Sequence, residues 1–158
     1  MLTVLDASVM IAALLKDEEH NQSAKEIVKN LPAGDCTTPA IFWYEVRNVL
    51  LMAMKRGRIE QSDLNACLRQ LTQDFSSTVD DEHDEMAVID LAQRHDLTRY
   101  DASYLETAIR RKAKLATFDQ KLATAAVKEK IENPATQSGA IEETLNHSQD
   151  DPQMDIEE

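Results

Sequence analysis

Residues 2–15 read LTVLDASVMIAALL, and this stretch indicates the class of fold. The short apolar run 2–5 ends in Asp6, which is typical of a buried strand. Ser8 is a suitable cap for a helix that continues to about Leu15. A buried strand followed at once by a helix is the first unit of an α/β domain.

The same alternation of strands and helices continues along the chain. Runs of apolar residues at helical spacing are separated by short β-prone segments and by Pro or Gly. This order predicts a three-layer α/β/α sandwich whose central parallel sheet has four or five strands. After the first unit, the predicted elements are a helix over Ala24–Leu31, a strand at Cys36–Thr38, a helix from Pro39 to about Arg56 closed by Gly57, a helix over Leu64–Leu71, a strand at Phe75–Val79, a helix over Ala87–Ala92, a helix starting near Asp101, a strand at Leu115–Phe118 and a helix over Leu122–Ala126.

Length and composition exclude several classes of protein. A chain of 158 residues, 42% hydrophobic and 29% charged, fits one globular domain that needs no disulfide or metal to fold. No apolar run approaches the ~20 residues of a membrane helix, and Asp6 interrupts the start of any secretory signal. Cys36 and Cys67 stand alone, which disfavours a zinc site and suits reduced thiols in the cytoplasm.

The negative charge is concentrated at the end of the chain. The net charge is −12, and residues 131–158 hold eight acids and no Lys or Arg, so residues 1–130 carry −4. We therefore predict a folded domain over 1–130 and an acidic tail over 131–158, mostly disordered by composition, with a helical turn or two at Ile141–Leu145. Taken alone, this acidity disfavours nucleic-acid binding.

Three aspartates are predicted to share one edge of the sheet. Asp6 and Asp119 end strands, and Asp101 begins a helix. In a parallel sheet, strand ends and helix starts lie on the same edge, where ligands bind. Each aspartate can equally be an ordinary helix cap.

Glu45 is the fourth candidate, because its neighbours at i−4 and i+4, Ile41 and Val49, are apolar. The alternative is a glutamate that reaches solvent or pairs with Arg47 or another nearby basic residue. Four carboxylates in one pocket repel one another unless some are protonated or a cation binds. Oxygen ligands select Mg²⁺ or Mn²⁺, and such ions support hydrolysis of phosphate esters.

The remaining polar residues are less specific. Ser8 and Thr117 lie two residues from Asp6 and Asp119 and can hydrogen-bond a carboxylate, or can be an ordinary cap and strand residue. The four histidines show no metal-ligand spacing and are interpreted as surface residues. Seven Lys and Arg residues at predicted helix ends either form a contact surface for RNA or provide favourable charge at helix C-termini. The histidines are His20, His83, His95 and His147, and the bases are Lys55, Arg56, Arg58, Arg110, Arg111, Lys112 and Lys114.

Three segments together resemble the PIN-domain ribonucleases, and most closely the VapC-like toxins of bacterial toxin–antitoxin pairs. They are LDASVMIAALL at 5–15, PAIFWYEVRNVLLMAMKRGRI at 39–59 and LTRYDASYLETAIRRKAKLATFD at 97–119. The likeness covers about residues 2–127, and the acids occur in the family's order Asp, Glu, Asp, Asp. The long acidic tail departs from the compact members of the family.

The resemblance implies a PIN-like fold and endoribonuclease activity with Mg²⁺ or Mn²⁺. It maps Asp6, Glu45, Asp101 and Asp119 to the metal-binding cluster, and Ser8 and Thr117 to the hydroxyl positions beside it. It also implies an RNA substrate, a small antitoxin and a homodimer. The alternatives are a housekeeping RNA-processing nuclease and a PIN-like protein-binding module without catalysis. Haloacid-dehalogenase phosphatases and response-regulator receivers fit poorly, because they need further acids that this chain lacks near Asp6.

Overall fold

Four short parallel strands form the centre of the fold. The structure is a computed structural model that describes residues 1–136, and the predicted turn at 141–145 lies outside them. The strands are β1 (Thr3–Leu5), β2 (Cys36–Thr38), β3 (Thr78–Val79) and β4 (Lys114–Ala116), in the spatial order β3-β2-β1-β4. Thr3 of β1 pairs with Cys36 on one side and with Lys114 on the other. The predicted four- or five-stranded parallel sheet is confirmed.

Within residues 1–136, seven complete α-helices surround the sheet and form the predicted three-layer α/β/α sandwich. The first helix packs on the second and the third, and the third packs on the fourth. The sixth helix packs on the fifth, on the seventh and on strands β1 and β4. The seven helices are α1 (Ala7–Leu14), α2 (Asn21–Asn30), α3 (Ile41–Lys55), α4 (Gln61–Arg69), α5 (Glu85–His95), α6 (Arg99–Arg111) and α7 (Gln120–Lys128). None of the helices in residues 1–136 has the length and apolarity to cross a bilayer.

The first helix begins earlier than Ser8. Asp6 is the N-cap residue of α1, so the predicted capping role of Ser8 is wrong. Ser8 lies within the first turn, and its hydroxyl donates instead to the Asp6 carboxylate. Strand β1 thus passes directly into α1 through Asp6, which fixes this carboxylate at the carboxyl end of a central strand.

Strand β3 is shorter than the predicted Phe75–Val79, because its first residues serve another purpose. Residues Gln70–Asp74 continue α4 as a π-helical turn that ends at Phe75. The Phe75 ring then packs against Phe42 and Trp43, with ring centres 5.8 and 6.0 Å away. The Thr, Ser and Val that favour a strand in this segment form only two strand residues, while Phe75 packs against the core.

Strand β4 begins and ends before the predicted Leu115–Phe118, and the following chain covers its outer edge. The Leu115 amide donates to the Glu132 carbonyl (3.0 Å), and the Thr117 amide donates to the Asn133 side chain (3.2 Å). Asn133 is buried although it belongs to the predicted tail. The division at residue 130 stays a prediction, and the contacts of residues 131–136 favour a boundary nearer 136.

Candidate active site

Asp6 is buried at the carboxyl end of β1, with 3% of its surface exposed. Its Oδ2 accepts hydrogen bonds from the hydroxyls of Ser8 and Thr117, the latter at 2.8 Å. Burial raises the pKa of Asp6 to about 6, the two hydroxyls oppose this rise, and the charges of Asp101 and Asp119 add to it. Asp6 is therefore a desolvated carboxylate in the electric field of two other acids.

Ser8 and Thr117 connect Asp6 to the loop after β4. The Ser8 Oγ accepts the Phe118 amide at 3.0 Å, and the Thr117 Oγ1 accepts the Asp119 amide at 3.0 Å. Each hydroxyl thus donates to Asp6 and accepts from the backbone that leads to Asp119. Of the two interpretations of these residues, the hydrogen bond to a carboxylate is the one that the structure contains.

Glu45 lies half-buried in the second turn of α3 and approaches the same acids. Its Oε1 accepts the hydroxyl proton of Tyr104 on α6, at 3.3 Å. Burial raises the pKa of Glu45 to about 7, and the charges of Asp6 and Asp101 contribute. The alternative pairing with Arg47 is wrong, since that guanidinium lies 5.7 Å from the Trp43 ring centre and no ion pair joins it to Glu45 within residues 1–136.

Asp101 and Asp119 lie at helix starts, and each makes a hydrogen bond of the helix cap. Asp101 lies in the first turn of α6 and accepts the hydroxyl of Thr98, the N-cap residue, at 2.8 Å. Asp119 is the N-cap residue of α7 and accepts the Leu122 amide at 2.8 Å. Each of these contacts uses one carboxylate oxygen, so capping leaves a second oxygen of both residues for another ligand.

The four carboxylates are electrostatic neighbours, but they are not closed around one point. Among residues 1–136, no three Asp, Glu, His or Cys side chains stand close enough together to form a ready metal cage. The donor set is nevertheless one that Mg²⁺ and Mn²⁺ favour, because it consists of carboxylate oxygens alone. Burial and charge repulsion raise the pKa of Asp6 and of Glu45. A divalent cation would offset both effects, because it stabilises the ionised carboxylates. The residues therefore fit such an ion.

Two residues that support the site were not predicted. Tyr104, fully buried, contacts Glu45. It lies three residues after Asp101, so helical spacing could have placed it on the same face. Asn133 holds the Thr117 backbone on both sides: its Oδ1 accepts the amide at 3.2 Å, and its Nδ2 donates to the carbonyl at 3.0 Å. Nothing in the local sequence around Asn133 indicates this contact.

The prediction that the histidines are surface residues is wrong for two of them. The side chains of His83 and His95 are each 7% exposed, and they contact Glu106 at 3.0 Å and Glu129 at 2.7 Å. His20 is half-buried and stacks on Phe118, with ring centres 4.5 Å apart. His147 lies outside the described residues.

The predicted basic surface is largely neutralised. Arg110 and Arg111 both bind the buried carboxylate of Asp80, and Arg110 also binds Glu106. The other two paired members are Arg58, which binds Asp17 and Glu18, and Lys114, which binds Glu132. Four of the seven basic residues in this set thus form ion pairs, which reduces the positive charge that the set can offer to RNA, and the predicted RNA contact surface stays a prediction.

Known proteins similar to this chain share its fold over most of its length. A ribonuclease, VapC3 of Pyrobaculum aerophilum, is 33% identical over 125 residues, which cover 78% of this chain and 93% of that protein. The crystal structure of PAE2754 from the same organism has a TM-score of 0.61 and 24% identity, covering 79% of this chain and 86% of that one. A toxin–antitoxin complex from Klebsiella pneumoniae contains a chain with a TM-score of 0.53 and 21% identity, covering 75% and 88%.

The family profile agrees with these similarities. The profile of the PIN domain matches residues 3–128, a span that includes all four acids and the whole sheet. The sequence resemblance to PIN-domain ribonucleases is thereby confirmed at the level of the family. The chain belongs to the PIN domain family.

Proposed function

We propose that this chain is a Mg²⁺- or Mn²⁺-dependent endoribonuclease that hydrolyses RNA phosphodiester bonds, and that it is the toxin of a toxin–antitoxin pair in the cytoplasm. The observation that carries the proposal is the mutual influence of the four acids within a PIN domain. The charges of Asp101 and Asp119 act on Asp6, and those of Asp6 and Asp101 act on Glu45. The identity to a ribonuclease, 33% over 125 residues, supports the same activity.

We assign Asp6, Glu45, Asp101 and Asp119 as metal ligands and catalytic residues. The ion, when bound, would lower the pKa of a water molecule and stabilise charge that develops at phosphorus. Ser8 and Thr117 hold the Asp6 carboxylate by their hydroxyl protons, so that its other oxygen, Oδ1, is oriented for the ion. Asp101 orients the attacking water or accepts its proton at Oδ1, the oxygen that does not contact Thr98.

The proposed partners follow from the acidity of the site. A small antitoxin would cover the acids and insert an Arg or a Lys, because a guanidinium can bridge two carboxylates and displace the metal. The similarity of the fold to a chain in a toxin–antitoxin complex supports this arrangement. We also propose a homodimer, which rests on the resemblance to the family. Co-purification of both proteins from the native operon tests the antitoxin, and a toxin isolated there without a partner chain would contradict it.

The nuclease proposal is tested by removing one charge at a time. Asp6→Asn, Glu45→Gln, Asp101→Asn and Asp119→Asn keep the size of each side chain, so the proteins should fold. RNA cleavage should fall by roughly 100-fold or more in each variant and should stop when a chelator removes the metal. The matched control is Asp74→Asn, an exposed acid at the end of the π-helical turn, which should cleave at the parent rate.

Cleavage at the parent rate by the four site variants would refute the assignment of these residues. A parent protein that cleaves no RNA with Mg²⁺ or Mn²⁺, but captures a protein partner, would favour the alternative of a binding module. A housekeeping nuclease would cleave RNA without an antitoxin gene beside its own.

A further inference from the structure

The exposed aromatic side chains of this protein occur at only one kind of position. The chain has seven Phe, Trp and Tyr residues, and all of them lie within residues 1–136. Five are buried or half-buried. The other two are Tyr44, 69% exposed on α3, and Tyr100, 56% exposed on α6. Tyr44 directly precedes Glu45 and Tyr100 directly precedes Asp101, so each exposed ring is the sequence neighbour of a site carboxylate.

Helix geometry keeps these exposed rings within one residue of the site acids along α3 and α6. Consecutive side chains on a helix point about 100° apart, so a ring can remain in solvent while the next residue turns towards the site. The hydrogen bond between Tyr104 of α6 and Glu45 of α3 joins the two helices in this region. Tyr100 lies one helical turn before Tyr104 and therefore near the same face of α6. Both rings thus belong to the surroundings of one site.

The charge of the protein favours an uncharged source of RNA affinity. The net charge is −12, and seven of the seventeen Lys and Arg side chains form ion pairs within residues 1–136. Attraction between Lys or Arg side chains and the phosphate backbone usually supplies most of the affinity for nucleic acid. This attraction is correspondingly weak here. Stacking of a nucleobase on an aromatic ring requires no net charge and tolerates any base.

We propose that Tyr44 and Tyr100 are base-stacking positions that hold two unpaired nucleobases of the RNA strand next to the phosphodiester that the acids attack. The proposal rests on the proposed ribonuclease function and adds to it the residues that bind the substrate. RNA is the proposed occupant because each ring directly precedes a carboxylate that is proposed to act on RNA, and an antitoxin that covers the same carboxylates is an outcome of the test. The strongly exposed aliphatic side chains Met86 and Val127, at 79% and 72%, lie on α5 and at the far end of α7, whereas Leu51 of α3 and Ile109 of α6 are only 39% and 37% exposed.

The proposal is tested by measuring the binding of a short unstructured RNA by fluorescence anisotropy with Mg²⁺ present. Asp6→Asn blocks cleavage in every protein that is compared. In that background, Tyr44→Phe and Tyr100→Phe keep a ring and should bind within about two-fold of the reference protein, whereas Tyr44→Leu and Tyr100→Leu should each weaken binding about ten-fold. Because stacking is not screened, this loss should be equal at about 50 mM and about 300 mM salt. Val127→Leu is the control for a change at an exposed apolar residue, and it should change nothing.

Abasic nucleotides identify the bases concerned. An abasic nucleotide in place of the one whose base stacks on a given tyrosine should weaken binding to the reference protein as much as the leucine variant of that tyrosine does. The same abasic RNA should show no further loss of affinity with that leucine variant. Leucine variants that bind as tightly as the reference would overturn the proposal, while cleavage by the wild-type protein would leave the ribonuclease function intact. A wild-type protein that neither binds nor cleaves RNA would overturn both. Leucine variants that change only the molecular mass in solution, or only the affinity for an antitoxin, would show a protein interface instead.

Discussion

Asp6 is held in place for chemistry, and its ionised carboxylate lowers the stability of the fold. It is almost fully buried, and its two hydrogen bonds, from Ser8 and Thr117, do not prevent its pKa from rising to about 6. A carboxyl whose folded pKa exceeds its unfolded value destabilises the fold when it is ionised. For Asp6 this destabilisation is absent below about pH 4 and complete above about pH 6.

Asp6→Asn should therefore raise the stability of the metal-free protein. At pH 7.5 the gain should be on the order of 1 to 3 kcal/mol, because the pKa rises from 3.8 to about 6 and each unit corresponds to about 1.4 kcal/mol. The gain should shrink as the pH approaches 4, where Asp6 is protonated in the parent. Thermal unfolding with a chelator, compared between the two proteins across this pH range, measures the effect. An Asn variant that melts below the parent at pH 7.5 would count against a strained Asp6 carboxylate.

At the scale of elements, β4 depends on the chain that follows α7. The segment 131–136 covers the outer edge of β4, and Asn133 binds both backbone groups of Thr117. Thr117 in turn binds the carboxylate of Asp6 and the amide of Asp119. Asn133 therefore positions two acids of the site without approaching either of them through its own side chain.

Two truncations distinguish this segment from the rest of the acidic tail. Deleting 137–158 keeps Asn133 and should leave the melting temperature and RNA cleavage close to those of the parent. Deleting 131–158 leaves buried backbone groups of Thr117 without partners, at about 1–3 kcal/mol each, and should lower the melting temperature by several degrees. Asn133→Ala should reproduce most of this loss, and Thr136→Ala, an exposed position, is its control. Equal melting temperatures for the two truncations would refute the role of residues 131–136.

At the scale of the whole molecule, charge opposes the proposed substrate. Residues 137–158 contain seven acids and no Lys or Arg, so their removal changes the net charge from −12 to −5. RNA is repelled less by the shorter protein, and the difference is greatest when salt screens least.

Truncation after residue 136 should thus strengthen RNA binding at about 0.01 M salt, where the Debye length is ~30 Å, and have little effect at about 0.15 M, where it is ~8 Å. A full-length variant with the seven acids replaced by Asn or Gln is the matched control for length, and it should behave like the truncation. Anisotropy titrations at the two salt concentrations provide the measurement. Equal affinities of the three proteins at low salt would show that the tail does not repel RNA.

Much of this protein could be predicted from local sequence patterns. These patterns depend on neighbours within a few residues. They are the apolar run before Asp6, the helical spacing around Glu45, and the positions of Asp101 and Asp119 at two helix starts. Such patterns survive any rearrangement of distant segments, because strand and helix periodicity are properties of the local backbone. They were sufficient to predict the parallel sheet and the four acids as candidates, while the family was predicted from the resemblance of three segments to PIN-domain ribonucleases.

Tertiary structure alone decided which long-range partners those residues have. Arg110 pairs with Asp80, thirty residues away, so part of its charge is neutralised within the fold. His95 is buried against Glu129, and Asn133 reaches back sixteen residues to Thr117. These contacts form only after the sheet has brought distant segments together, and a buried polar group takes whichever partner the packing presents. The spacing of residues along the chain holds no record of that choice. The carboxylates and the hydroxyls of Ser8 and Thr117 could therefore be predicted as candidates, whereas the contacts of Arg110, His95 and Asn133 could not.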